Sequence, residues 1–256
     1  MAPSLWVIMP TYNEAGSVER MLRLLAQTLR TALPDDHRIL VVDDGSPDGT
    51  GAIAERLGAE LGVVEVLHRP SKDGLGQAYL AGFAHALAAG AQRVCEIDAD
   101  FSHDPAYLPA LLAASEHSDL VLGSRYVAGG GVSDWGPLRR LLSRGGSWYA
   151  RTILGVSVRD LTGGYKCIRR SVLEAIELET VGSQGYVFQI EITYRAVLAG
   201  FRVTEVPIVF RDRTAGTSKM SPQIALEAIW RVPQLRRSAA AAIERVAARR
   251  AVTPAS

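Results

Sequence analysis

The chain has 256 residues, 48% of them apolar and 21% charged, which excludes wholesale disorder and suits one large α/β domain or one domain with appendages. Its 28 basic side chains against 27 acidic ones leave a net charge of +1, which argues against a general nucleic-acid binder with its large basic excess.

Residues 5–9 are a short apolar run ending at Pro10, which predicts a strand followed by a breaker. Val18, Met21, Leu22, Leu25 and Leu29 then recur at helical spacing over 17–30. The alternation continues with a strand over 38–42 and a helix over 51–61, then 63–67 with 75–89, and 94–97 with 107–114. The run 120–122 closes the series. Strands that regular, each followed by a helix, predict a doubly wound, mostly parallel sheet with helices on both faces. Beyond it, Gly129 to Gly131 reads as a flexible joint, 137–149 as a basic helix, and Gly163-Gly164 as a turn. Residues 185–198 are a strand-then-helix or a helix, and 202–210 a strand. Ser221 can cap a helix with Pro222 at its first position, carrying Ile224, Ile229 and Trp230 until Pro233 stops it. An Ala- and Arg-rich tail follows, with Arg236, Arg237, Arg245, Arg249 and Arg250.

Cys95 and Cys167 are too few for a disulfide scaffold or a structural zinc site. No apolar run approaches the roughly 18 residues of a transmembrane helix, and no cationic leader opens the chain. The expectation is a soluble, cytoplasmic enzyme-sized chain.

In open α/β sheets, ligands bind beyond the carboxyl ends of the strands. Four polar clusters fall there, at 10–14, 43–50, 98–102 and 123–126. In Asp98-Ala99-Asp100, extended backbone would point both carboxylates the same way, toward one Mg²⁺ or Mn²⁺; the bland alternative is a solvated turn. Asp43-Asp44 follows a strand as an acid reading a nucleoside does, whereas Asp48 and Thr50 look like helix-capping residues. No Gly-x-Gly-x-x-Gly follows the first strand and no P-loop is present, which argues against a dinucleotide oxidoreductase or a P-loop ATPase. Only Lys72, Lys166 and Lys219 are lysine among the 28 basic residues, so each is either a retained point charge for a phosphate or a chance surface lysine. His103 follows the acidic cluster and could hold a neighbouring group in place, and no hydrolase triad is evident.

Taken together, Pro-Thr-Tyr-Asn-Glu at 10–14, Val-Val-Asp-Asp-Gly-Ser-Pro-Asp-Gly-Thr at 41–50, Asp-Ala-Asp-Phe-Ser-His at 98–103 and Gly-Ser-Arg-Tyr at 123–126 resemble the polyprenol-phosphate (dolichol-phosphate) mannose synthases, within the inverting family-2 glycosyltransferases of GT-A fold. Leu-Thr-Gly-Gly-Tyr-Lys at 161–166, Gly-Tyr-Val-Phe-Gln-Ile-Glu at 185–191 and Arg-x-x-x-x-Ser-Lys at 213–219 follow in the same order. The resemblance implies a single catalytic domain over 1–220 and a C-terminal extension of amphipathic helices and basic tail over 221–256. It implies transfer of mannose from GDP-mannose to a polyprenyl monophosphate. Pro10, Tyr12, Glu14, Val41 and Asp43 would form the guanosine pocket, with Ala99 beside the metal. Asp98 and Asp100 would hold Mg²⁺ or Mn²⁺, with Ser102 at a position where some relatives place a further ligand. Arg213 and Lys219 would close over the donor diphosphate. Arg125, Arg139 and Ser143 would hold the acceptor phosphate, making Asp100, Arg125, Arg213 and Lys219 the principal catalytic groups.

A phosphate monoester is already largely ionised at neutral pH, so such a reaction needs a cationic clamp rather than a strong base; Glu191 is at most a weak one. A lipid acceptor implies a membrane surface or a membrane-embedded partner, reached through the C-terminal helix and tail as a peripheral association. The alternatives are a polyprenyl-phosphate glucosyl- or aminoarabinosyltransferase using a UDP-sugar, a sugar-nucleotide pyrophosphorylase, whose Gly-rich basic signature is missing from 11–16, and a non-catalytic scaffold.

Overall fold

The apolar runs become strands because both faces of the sheet they build are covered. The computed structural model describes residues 3–183, 185–212, 230–238 and 241. In chain order, β1 (Leu5–Thr11), α1 (Val18–Ala32), β2 (His37–Asp43), α2 (Thr50–Leu61), β3 (Val64–His68), α3 (Leu75–Ala88), β4 (Arg93–Glu96), α4 (Leu108–Ser115) and β5 (Leu120–Ser124) make the expected alternation. β6 (Gly131–Val132), α5 (Pro137–Leu154), β7 (Lys166–Arg169), α6 (Arg170–Ala175), α7 (Gly185–Leu198), β8 (Val203–Pro207) and β9 (Val209–Phe210) follow.

Seven strands pair in the order β3-β2-β1-β4-β7-β5-β8. Every pairing is parallel except those of β7, which runs antiparallel between β4 and β5. Side chains of β1 and β2 alternate between two cores. Trp6, Ile8, Leu40 and Val42 pack with residues of α3, α5 and α7, while Leu5, Val7, Met9, Ile39 and Val41 pack with α1, α2 and α4. The helices therefore cover both faces, as expected.

Several local expectations are corrected by packing. β1 continues through Pro10 to Thr11, because its ladder to β4 ends at Ile8 and one flank of the strand is free there. β7 is not legible in the sequence; four residues bounded by Lys166 and Arg169 have no strand signature, and two flanking strands create it. The single strand expected over 202–210 is interrupted at buried Ile208, whose amide donates to the Ser124 carbonyl at 3.0 Å. The joint expected at Gly129 to Gly131 instead opens a two-stranded parallel ladder, β6 with β9, and a Cβ on Gly130 would meet the Ser124 carbonyl oxygen at 2.4 Å. Residues 185–198 are wholly helical. Residues 230–238 are helical straight through Pro233, with Val232 and Leu235 buried in the core, so packing outweighs the lost backbone bond. Arg213, Lys219 and residues 221–229 lie outside the described residues, as do Arg245, Arg249 and Arg250 and the boundary expected at 220.

Candidate active site

The loop after β1 is pinned to the loop after β2. The amides of Asn13, Glu14 and Ala15 donate to Ser46 Oγ at 3.1 Å, Thr50 Oγ1 at 2.9 Å and Asp48 Oδ2 at 3.0 Å. Asp48 also accepts from the Thr50 amide at 3.0 Å, so it steadies the start of α2, while Gly49 occupies the cap position itself. Asp43 is buried beneath these loops, accepting from Ser46 Oγ at 2.5 Å and Thr11 Oγ1 at 3.2 Å. Val41 lies in the core below it. Its neighbour Asp44, the other half of the acidic pair expected at this strand end, reaches the cavity and is paired with Arg69 Nη1 at 2.5 Å. Burial pushes the Asp44 carboxyl upward, and Arg69 opposes it.

A cavity of about 400 Å³ opens at the strand ends. Pro10, Tyr12 and Glu14 line one side, Asp98, Ala99 and Asp100 the middle, and Arg125 and Arg139 the other. Lys72 lines it as well, its Nζ 4.2 Å from the centre of the Tyr12 ring.

β4 ends at Glu96, so Asp98 and Asp100 reach the cavity from the turn beyond it and not from the strand alternation expected from their spacing. Asp100 Oδ1 accepts from the Ser102 amide at 3.0 Å, and Phe101 between them has a positive φ of 64°. The Asp98 amide donates to His103 Nδ1 at 3.3 Å. Burial among Tyr165 and Phe210 pushes the His103 imidazole below its ordinary range, against the pull of Asp98 and Asp100, which keeps it neutral with Nδ1 accepting. Among the described residues no three His, Cys, Asp or Glu side chains converge on one point. Two carboxylates on an open cavity nevertheless fit a hard divalent ion whose remaining positions are filled by water and diphosphate oxygens. Ser102 is buried beside them, its hydroxyl without a hydrogen-bond partner among the described residues, and does not line the cavity.

Arg125 is fixed by Asp160, a residue sequence reasoning missed. Its Nε and Nη2 donate to the two Asp160 oxygens at 2.7 and 2.6 Å, and Nη2 also donates to Thr162 Oγ1 at 2.8 Å. Burial would pull the guanidinium down, but Asp160 holds it above its ordinary value, and the same pairing holds Asp160 below the usual carboxylate range despite its own burial. The rings of Tyr126, Trp135 and Phe210 surround it. Arg139 lies 4.2 Å from the Trp135 ring and donates to Asp212 at 2.8 Å. Ser143 does not line the cavity; its hydroxyl accepts from Tyr126 at 2.6 Å.

Lys166 corrects the expectation of a phosphate-facing lysine. It is fully buried, bonded to Gln189 and 3.5 Å from Glu96, beneath the acidic turn. Burial drives Lys166 down and Glu96 up, each against the pull of the other. Glu191 is likewise occupied, by Arg195 in a buried pair at 2.5 Å.

Residues 6–177 match the family model "Glycosyl transferase family 2". The chain is 51% identical over 231 residues to polyprenol monophosphomannose synthase of Mycolicibacterium smegmatis, covering 89% of this chain and 85% of that one. It is 48% identical over 225 residues to undecaprenyl-phosphate mannosyltransferase of Micrococcus luteus, covering 88% and 90%. Among solved structures, the mannosyltransferase PcManGT of Pyrobaculum calidifontis, in complex with GDP-Man and Mn²⁺, matches with a TM-score of 0.58 at 17% identity, over all of this chain and 77% of that one. At that identity the likeness is one of fold, and the fold is the GT-A arrangement.

Proposed function

The chain belongs to glycosyl transferase family 2, and from that premise we propose that it transfers mannose from GDP-mannose to a polyprenyl monophosphate, with inversion at the anomeric carbon. The observation that carries this reading is the 51% identity to a polyprenol monophosphomannose synthase, combined with one cavity that gathers the polar clusters at the strand ends. The GDP-Man and Mn²⁺ held by a fold neighbour favour the same donor and a divalent metal.

In this reading Pro10, Tyr12 and Glu14 receive the nucleoside, over the support that Asp43 and Val41 give the loops from below. Asp98 and Asp100 would hold Mg²⁺ or Mn²⁺, which when bound would neutralise charge on the donor diphosphate. Arg213 and Lys219, the basic pair that the family resemblance assigns to that diphosphate, lie outside the described residues. Arg125 offers its remaining guanidinium edge to the acceptor phosphate, with Arg139 beside it and Ser143 held behind by Tyr126. A phosphate oxygen forms the new bond to the anomeric carbon as the bond to GDP breaks and its electron pair leaves with GDP. The acceptor arrives ionised, so no side chain has to remove a proton, which agrees with a neutral, already bonded His103. The setting is the cytoplasmic surface of a membrane, reached peripherally. No helix among the described residues is long and apolar enough to cross a bilayer.

The test is a screen of radiolabelled nucleotide sugars against polyprenyl phosphate, scoring lipid-extractable label. GDP-mannose should exceed UDP-glucose by at least about tenfold, or ~1.4 kcal/mol in transition-state binding. Efficient transfer from a UDP-sugar with none from GDP-mannose would assign the chain to the competing donor class.

A further inference from the structure

Helix α5 is apolar on the side it does not bury. Ser143, Ser147, Ala150 and Leu154 face inward. On the other side Leu138, Leu141, Leu142 and Trp148 are 68%, 69%, 51% and 63% exposed. At 3.6 residues per turn their spacing places them on one stripe. Scattered exposed leucines are ordinary, but four large apolar side chains in three turns of one helix form a patch.

Along one flank of this stripe Arg144 and Arg151 converge with Arg159 on a second pocket, of about 320 Å³, completed by Tyr126 and Trp148. Among the described residues no carboxylate lines it. The contrast with the main cavity is direct: there Arg125 is neutralised by Asp160 and Arg139 by Asp212. Among the described residues none of the three guanidinium groups of the second pocket is ion-paired. Three like charges brought together repel one another until an anion compensates them. Arginine suits phosphate, whose oxygens accept its forked donors.

The apolar stripe decides which phosphate. A dissolved phosphate ion needs only cations. A phospholipid carries its anionic phosphate on top of hydrocarbon, which is the arrangement α5 presents in mirror image: arginines on the flank, leucines on the outer face, and Trp148 belonging to both, at the level where tryptophan favours the headgroup region. We propose that Arg144, Arg151 and Arg159 bind the phosphate of an anionic phospholipid and that α5 lies in the membrane interface with Leu138, Leu141, Leu142 and Trp148 inserted. Residues 230–238 pack beside α5, where Arg236 bonds the Ile153 carbonyl at 3.0 Å, and Trp230 of that segment is 73% exposed. The site also explains how a lipid-borne acceptor would reach the chemistry, a consequence that rests on the proposed function: Tyr126 lines the second pocket while Arg125, the residue before it, lines the main cavity.

The full chain should be sedimented with phosphatidylcholine vesicles with and without phosphatidylglycerol, at matched ionic strength with and without inorganic phosphate. The native protein should be retained by the anionic vesicles, and inorganic phosphate should not strip it. Two variants, Arg144→Ser/Arg151→Ser/Arg159→Ser and Leu141→Ser/Leu142→Ser, should each bind at least roughly tenfold more weakly. Both should keep native activity on a short, water-soluble polyprenyl phosphate, which judges the reaction separately from the surface. Equal retention by neutral and anionic vesicles, native-like retention of the arginine variant, or retention only by membranes containing other proteins would each overturn the proposal. Loss of activity on the soluble acceptor in either variant would do so too, by assigning those side chains to the reaction.

Discussion

At the scale of the residue, the pairing of Arg125 with Asp160 changes what the arginine can do. Two of its donor edges are committed, so it reaches an acceptor phosphate only through what remains, in an orientation fixed by a fully buried carboxylate. Arg125→Ala should lower turnover by about two orders of magnitude, because a charge-assisted contact in a desolvated site contributes a few kcal/mol. GDP affinity, measured by calorimetry, should hardly change; a parallel fall would move Arg125 to the donor side. Asp160→Asn should cost about 3–5 kcal/mol of stability, since it leaves a buried guanidinium uncompensated. The pH dependence has a definite sign. Asp160 is held below its ordinary value in the folded state, so its contribution is complete above about pH 3.9 and is lost as pH falls through the lowered folded value. Denaturant melts across pH should therefore show an acid limb below about pH 4 that is shallower in Asp160→Asn than in the native chain.

At the scale of the element, the site depends on how closely helices approach the sheet. Gly82 sits in the middle of α3, where propensity alone favours alanine by about 1 kcal/mol. A Cβ there would lie 2.5 Å from Ile8 Cγ2 and 3.2 Å from Val42 Cγ2, both on branched, buried side chains that cannot swing away. Overpacking wins: Gly82→Ala should be destabilising by about 1–3 kcal/mol in denaturant melts, where a surface helix would gain. A gain would mean that α3 can move off the sheet. The same closeness sets the strand ends, because β1 packed beneath α3 carries Pro10 and Tyr12 into the cavity.

At the scale of the whole molecule, the cavity is assembled from segments far apart in the chain, so a ligand bridging them should stabilise the folded state as a unit. In thermal melts GDP with Mg²⁺ or Mn²⁺ should raise Tm, by the equivalent of about 2.7 kcal/mol when ligand is a hundredfold above Kd. Asp98→Asn/Asp100→Asn should abolish the metal-dependent part of that shift and leave the unliganded Tm nearly unchanged, because the side-chain amide oxygen introduced at position 100 can still accept from the Ser102 amide. An undiminished shift in the variant would remove the two carboxylates from the metal site.

The alternation of apolar runs with helical periodicity, and the polar clusters at the strand ends, were determined by the sequence itself. Both are local patterns, so the clusters that hold Pro10, Tyr12, Glu14, Asp98, Asp100 and Arg125 could be placed at one end of the sheet from their order along the chain, whereas Arg139 came only through the family resemblance. What depends on the far side of the molecule was decided only by tertiary structure. Asp160 meets Arg125 across 35 residues, β7 becomes a strand because β4 and β5 flank it, and Lys166 is enclosed with Glu96 where a surface charge was expected. For α5 the spacing of its apolar positions is equally compatible with a buried or an exposed stripe. Which face the core covers is settled by neighbours distant in sequence, and that choice leaves Leu138, Leu141, Leu142 and Trp148 outward.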